Sequence, residues 1–249
     1  MSSKIARIKP ASGFSHFVHI LLMVLLPLLV FIMVRLRFYD LAAALILLSK
    51  WRMLAVRPRH WPANIRANAV DIIVGLSLLI FMMHSGSMLM QLIWTAAYAA
   101  WLISIKPLSS QIGVSLQALI AQTLGLTAIF LQWGDAPIYT LVILAWVICY
   151  VAARQFFVGF EEPLTRFLSD VWGYFGAALV WLLGHWLLFY GVIAQPTLIL
   201  TVIGFSLGGV YYLEKTDRLS VLLRRQLLFI MIAIIVIVIA FSHWDSRTL

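Results

Sequence analysis

Two acids, an arginine and a histidine are the residues that could do chemistry here. The run Glu161-Glu162-Pro163-Leu164-Thr165-Arg166 brings a pair of carboxylates beside a guanidinium, and His185 follows further along the chain. A carboxylate can act as general base toward water, and an imidazole can polarise a carbonyl or hold a proton. The same residues also have a plain structural reading. Acids and a proline suit the first turn of a helix, where the macrodipole is positive and a missing N–H is harmless. Arg166 lies four residues after Glu162, the spacing of a helical ion pair.

Other candidates are weaker chemically. Gln111, Ser115 and Gln122 share one face of an apolar segment, with Gln117, Thr123 and Thr127 elsewhere around it. A polar face inside lipid must turn toward other helices or a water-filled path. Interhelical hydrogen bonding is the preferred reading and a pore or substrate groove the sharper one. Gly204 and Gly208 form a G-x-x-x-G pair that lets a neighbouring backbone approach closely. Packing within the bundle is preferred there over an oligomer interface; Ala96 and Ala100 are a weaker version. Arg57, Arg59, Trp61 and Arg66 suit a headgroup layer or a docking partner. His16 and His19 are three apart, but zinc needs further ligands and no acid or cysteine stands nearby. The single cysteine, Cys149, excludes an internal disulfide and a cysteine-based zinc site. No metal and no cofactor are expected.

The run Glu161-Glu162-x-x-x-Arg166 resembles the E-E-x-x-x-R motif of the CAAX-protease and bacteriocin-processing family of intramembrane enzymes. Trp181-x-x-x-His185 is similar to that family's F-x-x-x-H motif, and Gly204 to Gly209, Thr216 and Leu219 resemble its next elements. The resemblance covers about residues 161–230. It implies Glu161 as general base and His185 as the group polarising the substrate, with Glu162 and Arg166 in support. The family's last histidine and asparagine read Gln226 and Ile230 here. One helix from Glu161 to His185 would separate them by about 36 Å at 1.5 Å per residue. The resemblance therefore implies a chain reversal near Ser169–Gly173.

The elements that must position these residues are membrane spans. Hydrophobic residues make up 63% of the 249-residue chain and charged residues 11%, against roughly 45–50% and about 25% in soluble domains. The charge of +9 is carried by residues flanking apolar runs, so headgroups explain it better than nucleic acid. A span needs about 20 apolar residues. Eight segments qualify or nearly do: Phe14–Val34, Ala69–Met83, Met88–Ile105, Ile112–Leu131, Ile138–Ala153, Val171–Tyr190, Thr197–Leu213 and Leu227–Phe241. The expected fold is all-α, a polytopic transmembrane helical bundle of about eight spans in one integral membrane domain, 1–249.

Residues 38–68 form a basic interfacial segment. Its helix, within Phe38–Val56, is read as lying in the membrane interface; a second, tight span is the alternative. Alternate links hold Arg57, Arg59 and Arg66, then Lys106, then Arg154 and Arg166, then Lys215, Arg218, Arg224 and Arg225. The opposite links, at His84, Asp135 and 191–196, hold no lysine or arginine. This bias puts the basic links in the cytoplasm and the C-terminus outside a cell (cytoplasmic) membrane. Lysine, arginine, aspartate and glutamate are absent from the middles of the spans, against most carriers. The expected partners are bilayer lipid, anionic headgroups on the cytoplasmic side, and a membrane-protein partner or second copy. Three functions remain open: a non-enzymatic scaffold or assembly subunit, a diverged intramembrane hydrolase, and a small carrier or channel.

Overall fold

The computed structural model describes residues 14–53, 55–185, 189–190 and 193–242. Lys4, Arg7, Lys9, Arg247 and the side chains of His16 and His19 lie outside the described residues.

Nine α-helices are found among the described residues: α1 (Phe14–Arg35), α2 (Tyr39–Leu48), α3 (Trp61–His84), α4 (Met88–Ala100), α5 (Gln111–Trp133), α6 (Ile138–Val158), α7 (Thr165–Gly184), α8 (Gln195–Lys215) and α9 (Val221–Phe241). α4 continues as one π turn through Trp101–Ile105. Seven of the helices, α3 to α9 with that extension, are long and apolar enough to cross a membrane. α1, at 22 residues, has a span's length as well. The protein is an all-α bundle and has the make-up of a multi-pass membrane protein.

The helix starts follow local chemistry. Ser87, Ser110 and Ser220 precede α4, α5 and α9, and each hydroxyl accepts a backbone N–H from the first turn. Such caps satisfy donors that the helix itself leaves unpaired. Pro62 and Pro196 sit in the first turns of α3 and α8, where no N–H is needed. The ends of α1, α6 and α8 share a different device. At each, the backbone turns left-handed on a charged residue, Arg37, Glu161 or Asp217. The following N–H then reaches back five residues, from Phe38 to Met33, Glu162 to Phe157 and Arg218 to Leu213. This is the Schellman ending.

The apolar residues form two cores that share α5. One packs Val30 and Val34 of α1, Ala42 and Ile46 of α2, and a row on α3 against α4, Ala121 and Ala128. The other packs Leu126, Ile129 and Phe130 against α6, Val180 of α7 and Leu200 of α8. Close approach is explicit where α6 meets α7. A β-carbon on Gly176 would stand 2.6 Å from the Cys149 sulfur, so only glycine fits. α9 is the outlier, packing mainly on α8 with Val238 its one buried residue.

Two expectations change, and the short helix keeps its preferred reading as a segment that does not cross. α3, α7 and α9 begin well before their apolar runs, so Arg66, Arg166, Asp170, Arg224 and Arg225 are helical. Charged side chains at a helix end can reach the interface while their backbone stays in the ladder. The span expected over Val171–Tyr190 ends at Gly184; Phe189–Tyr190 instead pairs antiparallel with Ile193–Ala194. The segment within Phe38–Val56 is a ten-residue helix followed by a 3₁₀ turn at Trp51–Met53. At about 15 Å it is too short to cross, and Ala42 and Ile46 are fully buried against its neighbours.

Candidate functional site: a lateral groove with a charged rim

α5, α6, α7 and α8 leave a groove of about 580 Å³ between them, within the range of about 300–1,000 Å³ usual for small-molecule sites. Its walls are Leu116 and Leu119 of α5, Ala152 and Phe156 of α6, Leu168 and Trp172 of α7, and the glycine-bearing face of α8. They are apolar almost throughout.

The polar side chains in the wall are largely occupied. Trp172 Nε1 donates to Gln122 Oε1 at 2.8 Å, and Gln122 Nε2 donates to the Leu200 carbonyl at 3.0 Å. Gln122 thus ties α5 to both α7 and α8. Thr123 and Thr201 add a second tie between α5 and α8 at 3.2 Å. Gln117, away from the groove, donates to the carbonyls of Ile105, Lys106 and Leu108 and accepts from Gln155 at 3.0 Å. These glutamines hold helices together. Gly204 explains the closeness: a β-carbon there would lie 3.1 Å from Gln122 Nε2. Gly208 faces the groove beside Phe156, at 3.5 Å by the same measure. Both glycines of the pair therefore work inside the bundle, whereas Ala96 and Ala100 are exposed on its outside.

One end of the groove carries charge. Tyr211 lines it and donates its hydroxyl to Glu162, and Lys215 Nζ pairs with the same carboxylate at 3.0 Å. The lysine ammonium stands 5.5 Å from the centre of the Tyr211 ring. Phe156, Phe157 and Phe160 pack edge-on or tilted around that ring, with centroids 5.3–5.6 Å away. The hydrogen bonds from Tyr211 and Lys215 hold the Glu162 carboxyl below the usual carboxylate range.

The residues expected to catalyse are not brought together. α7 runs unbroken from Thr165 to Gly184, without a reversal near Ser169–Gly173. Glu161 precedes it and His185 follows it, about 30 Å apart by helical rise. Both are exposed, and His185 Nδ1 lies 2.7 Å from the carbonyl of Trp181 in the last turn of α7. The acids are also not in a first turn; they close the end of α6. Glu162 pairs with Lys215, while Arg166 is exposed on the first turn of α7. Arg57, Arg59, Trp61 and Arg66 are all exposed, Trp61 Nε1 donating to the Val56 carbonyl and Arg66 Nε to that of Pro62.

A second charged cluster was not anticipated. Asp71, midway along α3, is 8% exposed and binds Lys50 and Lys106 through one oxygen, the latter at 2.6 Å. An acid therefore stands in the middle of a span-length helix, where none was expected. Its other oxygen accepts from Trp101 Nε1 at 2.8 Å. Burial, together with the neighbouring Lys106, lowers the Lys50 ammonium's pKa more than Asp71 raises it. At Lys106 burial acts the same way, but Asp71 with the Lys50 contact outweighs it and the net shift is upward. The only sequence signal was an aspartate two residues into an apolar run.

The ion pairs also group the links. Lys50–Asp71–Lys106 places the α2–α3 and α4–α5 links at one end of the bundle, and Glu162–Lys215 does so for α6–α7 and α8–α9. The Gln155–Gln117 bond joins the two sets. Comparison with protein-family models, curated proteins and solved structures finds no match to this chain.

Proposed function

We propose that the protein is a non-enzymatic, lipid-associated component of the cell membrane, a scaffold or a subunit of a larger assembly, that holds one acyl chain in the α5–α8 groove. The observation that carries this reading is the distribution of polarity: apolar walls along membrane-length helices, with charge confined to one rim. A site surrounded by lipid tails and lined by carbon takes a tail; it offers nothing to a solvated ion or sugar. The placement of Glu161 and His185 at opposite ends of α7 favours this reading over a hydrolase. The two-handed use of Gln122 favours it over a channel. The basic end of the bundle is assigned to the cytoplasm, where Arg57, Arg59, Trp61 and Arg66 meet anionic headgroups.

Native mass spectrometry of the full chain, released from mild detergent, tests the reading. The wild type should carry about one phospholipid. Gly208→Phe, which fills the groove beside Phe156, should lose it while keeping a monodisperse elution profile. A lipid-free wild type, or a Gly208→Phe protein with its lipid undiminished, would overturn the groove as a tail site.

A further inference from the structure

The rim already holds an ammonium. Lys215 Nζ sits against the Glu162 carboxylate and over the Tyr211 ring, a two-walled box whose ring is braced by three phenylalanines packed against it. A carboxylate and an aromatic face together are what an alkylammonium ligand requires, whether it is bound by hydrogen bonds or by the ring quadrupole. The Glu162 side chain is 12% exposed, whereas that of Lys215 is 47% exposed at the last residue of α8. The acid is fixed and the lysine can leave. Tyr211 belongs to both the box and the groove wall, so the box opens onto the tail site.

Building on the acyl-chain reading, we infer that the rim selects a zwitterionic phospholipid, whose ammonium takes the place of Lys215 on Glu162 and Tyr211 while Lys215 turns to its phosphate. Charge balances throughout. Glu162 keeps a cation, Lys215 gains an anion, and the headgroup supplies one of each a few bonds apart. A phosphatidylglycerol headgroup of the same tail length brings an anion without a cation. It either leaves Glu162 bare or fails to displace the lysine.

The test is competition by native mass spectrometry on the full chain. Equal amounts of phosphatidylcholine, phosphatidylethanolamine and phosphatidylglycerol with identical tails are offered together. The wild type should prefer the first two severalfold over the third. Glu162→Gln should bind a tail still and lose that preference. Lys215→Met, which empties the box, should gain binding of dodecyltrimethylammonium and not of dodecyl sulfate; this arm stands even where Glu162→Gln folds poorly. Equal loading of all three lipids on the wild type sinks the headgroup inference and leaves the groove intact, whereas no loading at all sinks both. An unchanged preference in Glu162→Gln, or no gain in Lys215→Met, also defeats it.

Discussion

Asp71 holds two ammonium groups on one oxygen and an indole N–H on the other, so its removal leaves a buried lysine with no counter-charge. Breaking such a pair from one side costs on the order of 3–5 kcal/mol. Asp71→Asn should therefore lower the melting temperature in detergent sharply, and Lys50→Met in the same background should recover part of the loss. Glu162 makes the opposite kind of contribution, one that pH can switch. Its folded carboxyl titrates below the ordinary value, which is about 4.3 for free glutamate. Stability from this group is complete above that ordinary value and is lost as pH falls through the lowered one. The melting difference between wild type and Glu162→Gln should be flat from neutral pH down to about 4.3 and shrink only in stronger acid. The sequence revealed the acids and the glycine pair but not their partners. Glu162 meets Lys215 across 53 residues, and Asp71 meets Lys106 across 35. Local spacing favoured Arg166 because it scores neighbours on one helix and is blind to contacts that only packing creates.

At the scale of elements, the helices were legible because lipid imposes a length and a composition that few other structures satisfy. Their ends were less so. Apolar runs mark the hydrocarbon layer, whereas helices continue until a cap or turn stops them, as Ser220 starts α9 six residues before its apolar run at Leu227. The three Schellman endings have charged residues, not glycine, at the left-handed position. Each holds an L-residue where the left-handed backbone costs about 1–2 kcal/mol. Glycine removes that cost but loses about 0.5–1 kcal/mol to its freer unfolded chain. Asp217→Gly, whose side chain makes no ion pair among the described residues, should raise stability by up to about 1 kcal/mol, seen as a higher denaturation midpoint.

At the scale of the whole molecule, the ion pairs and the Gln155–Gln117 bond put residues 106, 162 and 215 at one end of the bundle. α5 crosses from that end to the link holding Asp135. Cys149 is buried, so the native thiol should stay silent to a membrane-impermeant maleimide. Ser109→Cys, Glu161→Cys and Asp217→Cys should label from one side and Asp135→Cys from the other. Ser109→Cys and Asp135→Cys reacting on the same side would refute the arrangement. The sharing of α5 has a consequence for biogenesis. Helices enter the bilayer in the order they are translated, so the α1–α4 half can close on Ala121 and Ala128 while Leu126, Ile129 and Phe130 still wait for α6 to α8. A nascent chain stalled after Trp133 would be finished on one flank and adhesive on the other. Lesions in the later hairpins should then produce a protein caught by membrane quality control half-built, rather than one that never inserts.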